Sequence, residues 1–447
     1  MWNWGVGLCQ PADHKEHNPE YANGSGALGS EMPEFCLPSI KADDDQPSIW
    51  KWTRPMKCRA RGGCGSYHTV ITKLSFGATT GDTSEVSLYQ NYEGVIPNVK
   101  SAMLGSIRTS WEQGTAAGGI LEYDNPEYSV FGRSPFTFNG TEPISALQLA
   151  YSAAVRQTAD GRLSQNINDA LDGAALDGAS AGSVVLMGSF TDESRKAYWL
   201  HASEAELNYV LNVAPRTSTG AISHRANSRQ YWADGVYMGF PFIAYYGAVT
   251  QNQTLLQIAY DQCRLYRDAL LLDGPTGKLW GHIYSDDTKS WIDKGLWGTG
   301  NAWAALGMLR VAVTIQKAGC CGGMTSQVSD LMAWVKEILD GEFAALTSDN
   351  LIPDYVIGGS TFDDASASAA LASVAYRSVT LFPHQFGSNY TTVANKLRDA
   401  VLSRVTNLGT LSPVVDPLNW DAQGLLSTEA QSFALMMFSA WRDGLSP

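Results

Sequence analysis

One aspartate in the middle of the chain stands among aromatic residues, in the run Tyr-Trp-Ala-Asp-Gly-Val-Tyr-Met. Asp234 has Tyr231, Trp232 and Tyr237 as its aromatic neighbours in this run. Because aromatic surfaces remove water from a carboxyl group, they raise its pKa towards the range in which it can donate and accept protons. Pro241 disfavours a long helix here, so Asp234 is expected near a helix start, beside a loop. The pattern predicts a general acid or base at Asp234, with a helix N-cap as the open alternative.

Two further segments carry a histidine and tryptophans in glycine-rich surroundings. His282 lies in the run Leu-Trp-Gly-His-Ile-Tyr, where it could bind a sugar hydroxyl or a carboxylate, or serve only the structure. The run Trp-Gly-Thr-Gly-Asn-Ala-Trp begins at Trp297 and combines flexible backbone with faces on which a sugar ring could stack. The alternative interpretation is a tight turn with Asn301 as the N-cap of the following helix.

The elements that must position these side chains are helices. From about residue 96, segments rich in Ala, Leu and aromatic residues recur with helical spacing, separated by Gly, Pro, Asn and Asp, and strand patterns are almost absent. The predicted helices are 98–122, 143–158, 166–188, 196–212, 234–248, 253–271, 301–318, 325–345, 364–381, 391–405 and 428–443.

So many consecutive helices are typical of either a closed double ring of helical hairpins or an open solenoid. A solenoid is expected to show similarity between its repeats, and the sequence shows none. The sequence therefore favours an all-α closed ring, with loops at one mouth where a ligand could reach side chains at helix ends.

Residues 1–95 read as an irregular N-terminal extension with Gly-rich and Pro-rich turns. A strand pair is possible around Ser66–Phe76 and Glu85–Tyr92. Four cysteines in this region could form two disulfides, with three possible connectivities, and would then hold the extension on the main body. They are Cys9, Cys36, Cys58 and Cys64.

Composition and charge exclude several classes of protein. With 44% hydrophobic and 17% charged residues, the 447-residue chain is globular, and no apolar run approaches the length of a membrane span. The net charge of −13 repels phosphate backbones, so we expect no nucleic-acid partner. No cysteine spacing resembles a zinc site, and we expect no metal. The 14 Trp and 19 Tyr fit a protein that stacks aromatic rings on sugars, although core packing accounts for most of them.

Sequence features also bear on where the protein works. Together with the cysteines, four N-glycosylation sequons favour a secreted glycoprotein, although the chain starts without the pattern of a signal peptide. The sequons begin at Asn23, Asn139, Asn252 and Asn389.

Several motifs together resemble one enzyme family. Between residues 215 and 242 stand Pro-Arg-Thr-x-x-Gly, His-Arg and Trp-Ala-Asp-Gly-Val-Tyr-Met-Gly-x-Pro-Phe, followed by Leu-Trp-Gly-His and Trp-Gly-x-Gly-Asn-x-Trp. Weaker matches are Ser-Trp-Glu-Gln-Gly from residue 110, Asp-Ala-Ser-Ala-Ser-Ala from residue 364 and Ser-Thr-Glu-Ala-Gln-Ser-Phe from residue 427. Over residues 98–443 the chain resembles the unsaturated rhamnogalacturonyl hydrolases, family 105 of the glycoside hydrolases.

The resemblance implies a six-hairpin (α/α)6 barrel over residues 96–447 and an unusual reaction. The family removes a 4,5-unsaturated uronyl residue, galacturonyl or glucuronyl, from oligosaccharides that polysaccharide lyases produce. An acid protonates the C4=C5 double bond and helps water to add at C5, and the resulting hemiketal falls apart without a metal or cofactor. Ordinary glycosidases instead place two carboxylates around the glycosidic oxygen.

The resemblance also assigns roles by matching position. Asp234 takes the general acid/base role, and the family's second acidic residue matches Asp177, with Asp172 as a competitor. His224, Arg225 and His282 match the substrate-contacting positions, and Trp297 matches a stacking wall. The predicted substrate-binding set also includes Arg229, Trp232 and Thr299.

One departure bears on how the substrate carboxylate is held. Thr299 stands where family members commonly carry an arginine, so Arg225 or Arg229 could supply the cation instead, or substrate preference or activity has changed. Two other functions stay open: another glucuronidase or lyase on the same barrel, and a catalytically silent carbohydrate-binding protein.

Overall fold

The computed structural model describes residues 83–108, 110–163, 173–319 and 323–445. The α-helices in this part of the chain are α1 Thr83–Tyr92, α2 Ile96–Ser106, α3 Ser110–Asp124, α4 Ile144–Ala154, α5 Gly182–Thr191, α6 Lys196–Asn208, α7 Gly235–Met238, α8 Phe240–Val249, α9 Gln253–Leu270, α10 Gly298–Lys317, α11 Thr325–Phe343, α12 Ala365–Leu381, α13 Ser388–Leu402 and α14 Thr428–Gly444. Short 3-10 turns cover Pro126–Tyr128, Asp177–Ala181 and Glu193–Arg195, and a π-helical turn covers Tyr209–Val213.

The long helices form a closed double ring. The inner helices α3, α5, α8, α10, α12 and α14 are neighbours in that order, with the turn Asp177–Ala181 between α3 and α5, and α14 returns to α3. An outer helix covers each inner one: α4 on α3, α6 on α5, α9 on α8, α11 on α10, α13 on α12 and α2 on α14. The sequence prediction of an all-α barrel of six helical hairpins is therefore confirmed.

Residue type explains which helices are inside. α10, α12 and α14 are buried on nearly every side and are rich in Ala, Ser and Gly, whose small side chains let neighbouring helices approach closely. The outer helix α9 instead buries one stripe, which includes Leu256, Ala259, Cys263 and Tyr266. Capping fixes some helix starts: the Asp364 side chain accepts from the Ser366 and Ala367 amides ahead of α12.

Three helix predictions are wrong in their extent, and one of them, 234–248, is divided at Gly239 into α7 and α8. Residues 98–122 do not form one helix, because α2 lies in the outer ring and α3 in the inner ring, so the chain must turn between Ser106 and Ser110. The predicted helix 166–188 begins in residues outside the described part. Its later portion starts only at Asp177, because Gly173 and Ala175 exchange backbone hydrogen bonds with the loop around His224.

The segment Glu85–Tyr92 is also not a strand, since it lies in α1. Within α1, Glu85 accepts hydrogen bonds from Arg398 Nη1 at 2.6 Å and Trp441 Nε1 at 3.0 Å, and Tyr89 packs edge-on against Trp441. These contacts hold α1 on α13 and α14. The other half of the predicted strand pair, Ser66–Phe76, and the four N-terminal cysteines lie outside the described residues.

Short strands, which the sequence did not indicate, link the loops between helices. They are β1 Gln230–Trp232, β2 Leu271–Asp273, β3 Lys278–Trp280, β4 Ile283–Ser285, β5 Ser290–Asp293, β6 Ile352–Pro353, β7 Asp363–Asp364, β8 Val414–Asp416 and β9 Asn419–Gly424. β1, β4 and β5 form a three-stranded antiparallel sheet, and β2–β3, β6–β7 and β8–β9 form antiparallel pairs. Strands of two to six residues are too short to show the alternation that predicts a strand.

Inside the ring, a buried ionic network joins four inner helices. Glu122 on α3 pairs with Arg310 on α10 and, at 3.3 Å, with Arg377 on α12. Arg377 also pairs with Asp443 on α14 at 2.5 Å. Because Glu122, Arg310 and Arg377 are nearly fully buried, removing one charge leaves the others uncompensated. None of the described helices has the length and apolar character required to cross a lipid bilayer.

We expect Glu122→Gln to lower the free energy of unfolding by about 3–5 kcal/mol, because two buried guanidinium groups lose their shared carboxylate. Asp349→Asn is the control, since its pair with Arg404 is exposed and we expect a change of at most about 1 kcal/mol. Urea denaturation measures both. Equal effects of the two substitutions would show that the network does not hold the ring together.

Candidate functional site

A cavity of about 170 Å³ opens among the loops that precede the inner helices and the first turns of those helices. It brings together six of the residues singled out in the sequence and adds several others. The lining residues are Trp111, Asp177, His224, Arg225, Trp232, Asp234, Met238, Trp297, Pro417, Leu418, Trp420 and Glu429.

Asp234 occupies the junction between β1 and α7. It stands at the position before the helix, but its side chain makes no capping hydrogen bond, so the N-cap alternative is wrong. Behind it, Gly307 of α10 lies so close that a Cβ there would sit 2.3 Å from the Val236 carbonyl oxygen. The carboxyl group is therefore held by close backbone packing and turned to the cavity instead of to its own helix.

The small sheet places a histidine and a second carboxylate beside Asp234. The Ala233 amide donates to the His282 carbonyl at 3.0 Å, and the His282 amide donates to the Gly295 carbonyl at 3.1 Å. The side chains follow the same order: His282 Nε2 lies 3.3 Å from Asp234 Oδ2, and His282 Nδ1 lies 2.9 Å from Asp293 Oδ2. His282 thus bridges two carboxylates.

Hydrogen bonds on the far side fix Asp293. The Tyr355 hydroxyl donates to Asp293 Oδ2 at 2.6 Å, and the Gly295 amide donates to Asp293 Oδ1 at 2.7 Å. With both oxygens bound, Asp293 holds the His282 ring in one orientation. We call Asp234, His282 and Asp293 the carboxylate–imidazole chain.

In the carboxylate–imidazole chain, neighbouring charges outweigh burial in setting the pKa values. Burial lowers the pKa of His282, but hydrogen bonds and charges from Asp234 and Asp293 outweigh it and raise the pKa above its usual value of 6.5. Burial raises the pKa of Asp234, but the His282 hydrogen bond and the charges of His282 and His224 outweigh it and lower the pKa. The expectation that aromatic surroundings raise the pKa of Asp234 is therefore wrong, because a cation adjoins this carboxylate.

A second acid–histidine pair stands on another side of the cavity. His224 Nε2 lies 3.6 Å from Asp177 Oδ1, and the His224 ring stacks on Trp232 at 4.9 Å between centroids. The hydrogen bond from the Ala175 amide to the His224 carbonyl joins the two segments at 2.7 Å. The sequence predicted Asp177 and His224 as site residues without linking them, and the fold makes them neighbours. Asp172, the competitor of Asp177, lies outside the described residues.

Tryptophans wall the site around His282. The His282 ring centroid lies 4.4 Å from Trp297, 5.1 Å from Trp420 and 5.7 Å from Trp232. Trp297 is held by a hydrogen bond from its Nε1 to Asp354 Oδ1 at 3.0 Å. Burial, with the nearby charge of Asp364, raises the pKa of Asp354 to about 8. Aromatic faces around polar groups are suited to sugar rings.

The candidate cations separate into one at the cavity and one outside it. Arg225 lines the cavity, with its guanidinium over the Trp232 ring at 5.7 Å. Arg229 does not line it, because its exposed side chain pairs with Asp287 at 2.5 Å. Of the two, Arg225 alone is positioned to meet a ligand carboxylate in the cavity.

Two residues of the Trp-Gly-Thr-Gly-Asn run are structural. Thr299 is fully buried and donates from its hydroxyl to Asp364 Oδ2 at 2.7 Å, so it does not reach the cavity. Asn301 is inside α10, which begins at Gly298, so the N-cap interpretation is wrong. Its amide instead accepts from the Trp280 amide at 2.9 Å and donates to the Trp280 carbonyl at 3.1 Å. This pair ties the loop before His282 to α10.

Sequence reasoning missed several residues at the site, namely Trp111, Asp293, Tyr355, Trp420 and Glu429. Trp111 and Glu429 stood inside motifs that carried the family resemblance, which was the available signal. Asp293, Tyr355 and Trp420 reach the site only through strand pairing and loop contacts. In the described ranges, no group of three or more His, Cys, Asp and Glu side chains is arranged to hold a metal ion.

Comparison with known proteins finds similarity to glycoside hydrolases. The model of Glycosyl Hydrolase Family 88 matches residues 141–350, a range that contains Asp177, His224, Asp234, His282 and Trp297. The unsaturated rhamnogalacturonyl hydrolase YesR of Bacillus subtilis (strain 168) is 25% identical to this chain over 262 residues, 56% of this chain and 69% of that protein.

Solved structures share the fold. A possible member of the GH105 family from Salmonella enterica subsp. enterica serovar Paratyphi A str. ATCC 9150 has a TM-score of 0.63 at 15% identity, covering 79% of this chain and 94% of its own. The unsaturated glucuronyl hydrolase of Bacillus sp. GL1, responsible for the degradation of glycosaminoglycan, has a TM-score of 0.55 at 13% identity, covering 78% and 96%. At such identities the similarity shows a common helical barrel.

We expect Asp293→Asn to lower the pKa of His282, because one of the two carboxylates that stabilise the imidazolium loses its charge. The raised pKa stabilises the fold below the unfolded value of 6.5, and this contribution disappears as pH rises through the folded value. Histidine-selective NMR titration measures the shift, with exposed His201 and His384 as internal references.

Asp287→Asn is the matched control, since Asp287 pairs with exposed Arg229 away from His282. An unchanged His282 pKa in Asp293→Asn would mean that Asp293 does not charge the imidazole.

Proposed function

This chain belongs to the unsaturated rhamnogalacturonyl hydrolase family of glycoside hydrolases, and we propose that it removes a 4,5-unsaturated uronyl residue from lyase-generated oligosaccharides. The observation that carries the proposal is the cavity in which Asp234 adjoins His282, 3.3 Å away, within tryptophan walls. A terminal galacturonyl or glucuronyl group bears a flat enol-ether ring and a carboxylate, and the cavity offers stacking faces and a cation for these two features.

In the proposed reaction, Asp234 acts as general acid and then as general base. It gives a proton to C4 of the C4=C5 double bond, which leaves a cation shared by C5 and the ring oxygen. Water adds at C5 while Asp234 takes its proton, and a hemiketal forms. The bond between C5 and the ring oxygen then breaks to give a ketone at C5, and C1, now a hemiacetal carbon, releases the sugar alcohol and becomes an aldehyde.

The contact with His282 explains how Asp234 can donate a proton although its pKa is lowered. The raised pKa of His282 and the lowered pKa of Asp234 favour the proton of the pair on His282 Nε2 in the free protein, 3.3 Å from Asp234 Oδ2. A uronate in the cavity adds negative charge beside Asp234 and displaces water, and both changes raise the pKa of that carboxyl. The pair therefore titrates as a unit and supplies its proton through Asp234 once substrate is bound.

We assign Arg225 and His224 to binding the polar groups of the substrate, and Trp232 and Trp297 to stacking on the faces of its sugar rings. Arg225 borders both the cavity and an open groove of about 450 Å³ that continues from it along Trp232 and Trp420. A planar guanidinium binds carboxylates through parallel hydrogen bonds. Arg225 can therefore take the place of the arginine that family members commonly carry at the position of Thr299. Asp177, paired with His224, is the second acidic residue of the proposal.

We expect the wild-type protein to consume the ultraviolet absorbance of the conjugated enol-ether carboxylate in lyase digests of pectin, arabinogalactan, ulvan or glycosaminoglycan. Asp234→Asn should lower kcat at least about 1,000-fold, because both proton transfers lose their carboxyl group. Asp330→Asn, on exposed α11 surface, is the control with unchanged turnover.

A saturated uronide as the only substrate would contradict the proposal in favour of an ordinary glucuronidase. Sugar binding without turnover of any of these digests would favour a silent binding protein. Turnover by Asp234→Asn within a few-fold of wild type would remove Asp234 from the mechanism.

We further propose that the protein is a secreted glycoprotein whose barrel, residues 96–447, carries N-glycans and follows an extension formed by residues 1–95. Three of the four sequon asparagines, Asn139, Asn252 and Asn389, have exposed side chains, which supports the proposal; Asn23 lies outside the described residues.

For protein secreted from a eukaryotic host, we expect peptide-N-glycosidase F to lower the mass and to convert modified asparagines to aspartate. Peptide mass spectrometry locates them. Unmodified Asn139, Asn252 and Asn389 in such a sample would contradict this proposal.

A further inference from the structure

Glu429 brings another carboxyl group to the catalytic cavity. It stands in the first turn of α14, lines the cavity and is only 2% exposed. Trp111 Nε1 donates to its Oε2 at 3.1 Å. Its Oε1 is buried and meets no hydrogen-bond partner among the described residues. A buried polar atom without a partner beside a ligand cavity points to a group that the ligand is meant to complete.

The surroundings of Glu429 favour its neutral form. Burial raises its pKa well above the usual value, and the negative charges of Glu112, Asp234 and Asp364 raise it further. These three carboxyls come from α3, from the start of α7 and from the start of α12. Arg108, in the turn before α3, is already engaged, since its guanidinium binds Glu112 at 3.0 Å.

The remaining charges around Glu429 do not neutralise an ionised carboxylate. α2, which covers α14, carries Lys100, and that ammonium binds Asp124. Across the cavity, Arg225 lies over Trp232, and His224 adjoins Asp177. These surroundings therefore favour Glu429 as a neutral carboxylic acid, which has one hydrogen-bond donor.

We propose that Glu429 is a specificity-determining residue that donates a hydrogen bond from its neutral carboxyl group to the carboxylate of the bound uronyl residue. The inference rests on the proposed function, because it identifies the group that the cavity must recognise. An ionised glutamate would repel a uronate, whereas an O–H···O⁻ hydrogen bond is short and strong.

This arrangement separates two carboxyl groups of the cavity by protonation state. The charge of His282 favours ionised Asp234, while burial among carboxylates favours neutral Glu429. Environments that push the pKa values of two carboxyl groups apart commonly mark separate roles for them in one site. Here Asp234 transfers the proton in the reaction, and Glu429 binds the carboxylate of the substrate next to Asp234.

The test compares two substitutions of Glu429. Glu429→Gln keeps an oxygen to accept from Trp111 and an N–H to donate to a carboxylate. Glu429→Leu removes both. We expect the affinity for D-glucuronate or D-galacturonate, measured by calorimetry, to fall about 10- to 100-fold in Glu429→Leu and less than about five-fold in Glu429→Gln.

The pH dependence distinguishes hydrogen-bond donation from a structural role. Wild-type affinity for the uronate should fall as pH rises through the pKa of Glu429, because the ionised group repels the ligand. In Glu429→Gln this decline should be absent. Glu342→Gln is the matched control: Glu342 is also buried, and burial raises its pKa to about 8, but it lies on α11 and does not line the cavity.

Outcomes on binding and turnover are separate. Wild-type uronate affinity in Glu429→Leu would overturn the inference, as would equal losses in Glu429→Gln and Glu429→Leu. Loss of turnover in Glu429→Gln with binding retained would make Glu429 a catalytic acid and also overturn it. Uronate binding that depends on Glu429, in a wild-type protein that consumes no unsaturated substrate, would sustain the inference and reject the proposed hydrolysis.

Discussion

The site depends on one interaction, the buried contact of His282 with two carboxylates. A carboxylate or an imidazolium alone would be costly to bury, but each here neutralises its neighbour. The chain from Asp293 through His282 to Asp234 thus places a titratable proton next to the cavity, on a buried imidazole where its position is sensitive to added charge. A ligand that brings a carboxylate changes this balance, so binding itself prepares Asp234 to act as an acid.

The fold supplies the rigidity that this contact needs. β1, β4 and β5 set the backbone distances between Asp234, His282 and Asp293, and Tyr355 fixes the outer carboxylate. The inner helices beneath are tied together through Glu122 and its two arginines, so the loops stand on a closed ring. Catalytic groups on loops are positioned well when the scaffold under them cannot shift.

The sequence predicted well what depends on helical periodicity or on a contiguous motif. Most helices and the meeting of Asp234 with His224 and Trp297 in one cavity followed from such patterns. It failed where the structure depends on distant pairing. Asp293 meets His282, and Tyr355 meets Asp293, through short strands and loops that leave no periodic signal.

The pKa of Asp234 shows the same limit. Its aromatic neighbours in sequence indicated a raised value, whereas the partner that determines the direction, His282, comes from a later loop. Asn301 gives another case: its amide binds the backbone of Trp280, an attachment that local capping rules do not contain. Thr299 likewise binds Asp364 and does not reach the cavity. Only the fold shows that Arg225 lies at the cavity and Arg229 outside it.

The most direct measurement of the central claim is turnover of an unsaturated uronyl disaccharide in D₂O, with the product examined by NMR and mass spectrometry at early times. Proton transfer from Asp234 predicts one carbon-bound deuterium at C4 of the released 4-deoxy sugar, on a single face of that carbon. A product without deuterium at C4, or one that keeps its double bond, would contradict the account.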